Sequence, residues 1–226
     1  MKKTYANKNT QLSIPVPTIR RLPLYLSFLK SMQNTEVKFI SSPEIAEKLH
    51  VNSTQITKDF AFIKVPGKTK VGYETDNVIR AIEVYLGYNE PKKAFIVGIG
   101  SIGMALIKYN DFIEKGLEII AGFDIDTEKS EIEINNIRIF NINKFKVVFD
   151  KTPVDIGIIT VPADQAQKVA DLMTKCGIKA IWNFSATPIS APVNIIVENT
   201  SIDSGLAMIK WKLNKNKPLV YKNRIL

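Results

Sequence analysis

The run FIVGIGSIGMALIKY, residues 95–109, constrains this chain's fold more than any other stretch. It opens as an apolar strand-like segment, breaks at Gly98, Gly100 and Gly103, and resumes as MALIKY with apolar residues at helical spacing. A strand that passes through glycines straight into a helix opens a βαβ unit, and each glycine has its own physical task. Gly98 permits the tight turn, Gly100 lets a pyrophosphate approach the backbone, and Gly103 lets the helix pack closely on the strand. The helix N-terminus then offers unpaired N–H groups and the positive end of its dipole to phosphate. Ile99, Ser101 and Ile102 lie between the glycines and belong to the same candidate site.

The C-terminal half of the chain extends that unit into a domain. A second strand, LEIIAGFD, ends in Asp124, 21 residues past Gly103, where an acceptor for a ribose 2′-hydroxyl is expected, with Ile125 beside it. An acid there favours NAD over its 2′-phosphorylated form. PVDIGIITVP, IKAIWNF and VNIIVEN read as three more strands, with the helix PADQAQKVADLMTKCG between the first two. Strands alternating with helices predict a mostly parallel, doubly wound sheet with ligands beyond the strands' carboxyl ends. Thr160, Val161, Pro162, Asn183 and Phe184 leave the strands at that edge and are candidates for the nicotinamide half of the site, or else only cap the sheet. Tyr109, at the end of the glycine-turn helix, is a further candidate.

An enzyme transferring hydride needs an acid or base near the reacting carbon. The second domain has no histidine, Cys176 sits late in a helix, and no paired-carboxylate signature is visible, so neither a catalytic residue nor a metal ligand set is assigned. The segment SIDSGLAMIKWKL is apolar over a wide arc through Ile202, Leu206, Met208, Ile209, Trp211 and Leu213. Such a helix either docks on a second subunit or packs within its own chain.

The first third is different in kind. Of 31 Lys and Arg and 22 Asp and Glu, residues 1–73 hold 12 basic against 4 acidic, a balance of +8, and the rest of the chain holds 19 against 18. A positive module followed by a nearly neutral domain suits phosphate binding, since each neutralised phosphate releases counterions. PTIRRLPLYLSFLKSMQN places Ile19, Leu22, Leu26 and Leu29 on one helical stripe. SSPEIAEKL begins with capping serines and a proline suited to the first helical position, and NSTQITKDFAFI begins with Asn52 as a cap. Two short helices across a tight turn, after a longer one, predict a helix-turn-helix within about residues 23–62. Ser53, Thr54, Gln55, Thr57 and Lys58 then face DNA, with Gln55 reading adenine and Lys58 meeting phosphate, while Ile56, Phe60 and Phe62 face the core. Arg20, Arg21 and Ser42 on the preceding helices, and Lys68 and Lys70 in the wing-like KVPGKTK, complete the candidate DNA face. His50, the one histidine, falls in the turn and has no partner for a metal site.

These pieces predict a flexible basic arm at 1–14, a winged helix-turn-helix domain at 15–90, a Rossmann-like α/β domain at 91–200, and a C-terminal helix and tail at 201–226. One cysteine precludes an internal disulfide, no apolar stretch approaches the roughly 20 residues of a membrane span, and the N-terminus lacks a secretory pattern, so a cytoplasmic protein is expected.

Taken in order, RLPLY, SSPEIAEKL, QITKDF, VGY, GIGSIG, FDID, TVPADQAQKVAD and GIKAIWNF resemble the Rex family of redox-sensing transcriptional repressors, from about residue 15 to residue 213. The resemblance implies a homodimer whose winged-helix domains bind a palindromic operator and whose Rossmann domains take NADH or NAD+ competitively. It also implies C-terminal helices exchanged between subunits, and release from DNA when NADH closes the dimer. Relatives often carry Arg or Lys where Thr57 stands, a glycine-rich wing in place of KVPGKTK, and a basic–acidic pair where this chain has Ser27 and Ser201, with Asp203 close to the latter. The competing expectations are an NAD-dependent oxidoreductase with a helical N-terminal extension, and a related nucleotide-binding domain that takes coenzyme A or another adenine nucleotide.

Overall fold

The computed structural model describes residues 14–33, 37–126 and 132–215, so the expected arm and tail lie largely outside the described residues. The chain divides into two compact units, Met1–Glu90 and Pro91–Leu226.

In the first unit α1 (Val16–Ser31), α2 (Ser42–Leu49), α3 (Ser53–Phe62) and α4 (Thr75–Leu86) surround one core, and β1 (Phe39–Ile40) pairs antiparallel with β2 (Tyr73–Glu74). Pro15 precedes α1, where a missing N–H costs nothing, and Leu22, Tyr25, Leu26 and Leu29 form its buried stripe. Ser41 and Glu44 make a reciprocal capping box: the Glu44 N–H donates to the Ser41 hydroxyl at 3.3 Å, and the Ser41 N–H donates to the Glu44 carboxylate at 2.7 Å. His50 ends α2 in the left-handed region, φ 53°, which gives the sharp turn into α3. Asn52 caps α3 by accepting the Thr54 N–H at 2.8 Å. Phe62 is only half-buried; its expected core place is taken by Ile63, because α3 ends there and the chain turns inward. The wing is not an extended hairpin but a tight loop closed by a two-way backbone bridge between Lys68 and Gly72.

The second unit is a seven-stranded sheet in the order β5-β6-β4-β3-β7-β8-β9, parallel except for β5. Its strands are β3 (Lys92–Val97), β4 (Leu117–Asp124), β5 (Glu133–Ile134), β6 (Ile137–Asn141), β7 (Ile156–Ile159), β8 (Ala180–Asn183) and β9 (Ile196–Asn199). Its helices are α5 (Ser101–Ile107), α6 (Asp111–Glu114), α7 (Phe145–Lys151), α8 (Ala163–Cys176) and α9 (Ile202–Lys215). Without β5, this is the dinucleotide-binding strand order, which reverses between β3 and β7. Alternation along β3 feeds two cores. Phe95 and Val97 join Phe123, Phe145, Val169 and Met173 on one face, and Ala94 and Ile96 join Ile107, Ile119, Ile139 and Ile158 on the other. A Cβ on Gly157 would strike the Met173 sulfur, so the glycine sets how closely α8 lies on the sheet.

The sequence reading passed over β5, β6 and α7. β5 and β6 are joined through Asn135 and Asn136, both at positive φ (52° and 63°), the backbone that a two-residue hairpin turn requires. No described helix is long and apolar enough to cross a membrane.

Candidate functional site

β3 ends at Val97, and Gly98 turns the chain with φ +98°, a value that L side chains rarely adopt. The Gly98 N–H donates to Phe123 O at 2.8 Å, and its carbonyl accepts the Thr160 hydroxyl at 2.6 Å. The turn is thereby tied to the strands on both sides. A Cβ on Gly103 would fall on the Gly98 carbonyl oxygen, so only glycine lets α5 start so near β3. Gly100 faces open space. Side chains would therefore be tolerated at Gly100 by the protein itself; its openness matters toward a ligand.

Asp124, buried at the end of β4, accepts the Ile99 N–H at 2.6 Å on one carboxylate oxygen and the Asp126 N–H at 2.9 Å on the other. It braces the glycine turn while lining the hollow beside it. That hollow, about 560 Å³, is bounded by Gly98, Gly100, Asp124, Ile125, Thr160 and Val161. A second, of about 520 Å³, lies between Ser101, Ile102, Phe184, Ser201 and Asp203. The two share Gly100, Thr160, Val161 and Pro162, forming one trough across the carboxyl ends of β3 and β7. Each is in the range of small-molecule sites.

Two expected ligand contacts are elsewhere. Tyr109 follows the far end of α5, about 12 Å of helix away from Gly100. There its hydroxyl accepts from Lys115 at 3.0 Å and its ring meets Phe112, beside a separate hollow containing Asn110 and Asn135. Asn183 is buried and fully engaged: its amide donates to Thr187 O and Asn199 Oδ1, and its oxygen accepts from the backbone and hydroxyl of Ser185. It holds the turn after β8, leaving Phe184 and Ser185 to line the trough. Conversely, Asp126, Ile142, Gln165, Lys168 and Leu172 line the first hollow without having been singled out in the sequence. For Gln165 and Lys168 the available signal was one helical turn's spacing along the α8 segment after TVP.

In the first unit α3 exposes Thr54, Thr57 and Lys58, as a groove-reading helix requires, with Ser53 half-buried. Arg20, Lys68 and Lys70 are also exposed, and Lys68 lies over the Phe39 ring at 4.7 Å. Arg21 and Gln55 are directed otherwise than expected. Both donate to Asp59, a fully buried carboxylate that also accepts from Thr18 and Tyr25. Burial works against the charge on Asp59, yet the hydrogen bonds from Arg21, Tyr25, Thr18 and Gln55 outweigh it and hold its pKa below the ordinary carboxylate value. Burial, reinforced by Asp59, pushes the Tyr25 phenol upward. Asp59 was not singled out in the sequence, and it lies on the buried face of α3 with Ile56 and Phe60.

Residues 13–61 match the model described as "Putative DNA-binding protein N-terminus", and residues 89–187 match "CoA binding domain". The redox-sensing transcriptional repressor Rex of Bacteroides thetaiotaomicron is 40% identical over 204 residues, 90% of this chain and 93% of that protein. A crystal structure of RSP in complex with beta-NAD+ and operator DNA superposes with a TM-score of 0.83 at 30% identity, covering 89% of this chain and 93% of that one. RSP in complex with beta-NADH gives 0.79 at 29% identity, covering 94% and 96%.

Proposed function

The chain belongs to the Rex family of redox-sensing transcriptional repressors, and from that premise we propose that it represses transcription by binding operator DNA and lets go when NADH replaces NAD+. Residues 15–90 read the DNA, residues 91–200 hold the dinucleotide, and the helix within 201–226 joins two copies. The double hollow on either side of Gly100 carries this reading, because its two lobes, sharing Thr160, Val161 and Pro162, suit a ligand with a nucleoside at each end. The adenosine half lies toward Asp124, Ile125 and Asp126, the pyrophosphate over Gly98–Gly103, and the nicotinamide toward Ser101, Ile102, Phe184 and Ser185.

Dimerisation is supported by α9. Its apolar residues Ile202, Leu206, Met208, Ile209, Trp211 and Leu213 are between 53% and 66% exposed, so packing among the described residues does not cover them. A second copy whose own α9 is exchanged in return would.

The nucleotide acts as an effector and undergoes no reaction. Around the nicotinamide lobe the lining is aliphatic, aromatic or hydroxylic apart from Asp203, which lies on α9 rather than on the sheet edge. For NADH to release DNA it must bind the DNA-incompetent state more tightly than the competent one; equal affinity would shift nothing. A gel shift on the chain's own upstream DNA, titrated with NADH, NAD+ and coenzyme A in separate series, tests this. Release at the lowest concentration with NADH is expected. Equal response to NADH and NAD+ refutes redox sensing, and release by coenzyme A alone moves the site to another nucleotide class.

A further inference from the structure

Thr57 lies on the flank of α3 that faces Ser42, the first residue of α2. Its hydroxyl is committed on two sides. It donates to the Ser53 carbonyl, one turn back, at 3.2 Å, and with its proton so used it accepts from the Ser42 hydroxyl at 3.0 Å. Ser42 is buried at the start of a capped helix and is a fixed partner. In threonine a single torsion places both γ atoms, so pinning the oxygen pins the methyl. Thr57 is nevertheless exposed, and since both bonds of its hydroxyl are made within the protein, the γ-methyl is the group of this side chain that remains for a ligand. It borders a groove of about 430 Å³ whose opposite wall is the loop carrying Lys68 and Lys70.

We propose that Thr57 is a thymine reader, its locked methyl packing on the C5-methyl of one thymine in each operator half-site. The thymine methyl is the apolar landmark of the major groove, and a threonine methyl is a natural partner for it. Arginine or lysine at this position would instead favour the O6 and N7 acceptors of guanine. The lock raises the discrimination because no rotamer freedom is lost on binding, and because the hydroxyl, already satisfied, does not compete for the base edges. The inference rests on α3 being the reading helix.

The test begins with operators selected by the full-length protein from a pool of random duplexes. Each thymine of a selected site is then replaced singly by deoxyuridine, which removes only the C5-methyl. One replacement per half-site is expected to weaken binding by about fourfold, the value of one methyl-sized apolar contact. Thr57→Ser, which keeps both hydroxyl ties, should bind the thymine and deoxyuridine duplexes equally. Thr57→Val, which keeps a methyl, should retain the difference. Urea unfolding followed by helical circular dichroism serves as the check that the first unit of both variants is folded. If no deoxyuridine replacement weakens the wild-type protein, or if Thr57→Ser remains as sensitive as wild type, the inference is wrong. Selection of no duplex at all would instead overturn the DNA-binding reading on which it rests.

Discussion

Replacing Asp59 by asparagine tests how the reading helix is held. The carboxylate accepts five hydrogen bonds on two oxygens. Oδ1 takes Arg21 Nη2 at 2.8 Å, Thr18 Oγ1 at 2.9 Å and Gln55 Nε2 at 3.0 Å; Oδ2 takes Arg21 Nε at 2.7 Å and Tyr25 OH at 2.8 Å. An amide keeps one of those oxygens. Whichever is lost, at least two donors face an NH2 group, and the Arg21 guanidinium keeps its charge beside a neutral partner. Hydrogen bonds to a charged group contribute about 1.5–3 kcal/mol each, and breaking a buried pair costs about 3–5 kcal/mol. Arg21 is 27% exposed, so water recovers part of this; about 2–4 kcal/mol remains. For a unit of this size, with a stability of roughly 4–11 kcal/mol at about 0.05–0.15 kcal/mol per residue, that is a large fraction. Both tryptophans, Trp182 and Trp211, lie in the second unit. Urea unfolding of the whole chain should therefore show an earlier loss of helical circular dichroism with the tryptophan transition in place. A shift of the first transition worth less than about 1 kcal/mol would mean that the network orders side chains without holding α1 to α3.

The same carboxylate predicts an acid response: a depressed folded pKa contributes stability that is present above the unfolded value of roughly 4 and is lost as pH falls through the folded one. Wild-type helical signal should weaken below about pH 4 more steeply than that of Asp59→Asn, and parallel acid profiles would contradict the assignment. Asp124→Ala removes the brace on Ile99 and Asp126 together with the expected ribose acceptor, so NADH affinity measured by titration calorimetry should fall about tenfold or more; unchanged affinity would put the adenosine elsewhere. Ile209→Lys with Trp211→Lys alters side chains that are mostly exposed on α9. Sedimentation should show a monomer whose circular dichroism remains that of the folded chain and whose operator affinity is reduced, and a persistent dimer would locate the interface away from α9.

Much of the fold was legible locally. The segments for β3, β4, α8 and β8 stand out because a parallel sheet covered on both faces needs continuous apolar strands, and α8 carries its own stop signal in Gly177 at positive φ. Capping at Ser41 and Asn52 was equally visible, since a helix start is a contest among neighbouring residues. β6 was not legible. In EIEINNIRIFN the half-exposed, charge-bearing alternation of a strand near the sheet edge carries less apolar signal than a central strand does.

Residue order alone dictates that a glycine turn joins a strand to a helix, that a basic helical module precedes it, and that the last helix is apolar over too wide an arc to stand alone. These are properties of neighbours within a few residues, where backbone sterics and periodicity rule. Which polar groups remain for a ligand was settled by packing in three dimensions. Asn183 looked like a contact in one dimension, but Asn199, on the neighbouring strand β9, had already taken one of its hydrogen bonds. Asp59 gave no local sign of its burial, because four of the five hydrogen bonds that tolerate its charge come from a helix 34 to 41 residues earlier in the chain. A polar side chain's partners are set by spatial proximity, which periodicity does not encode.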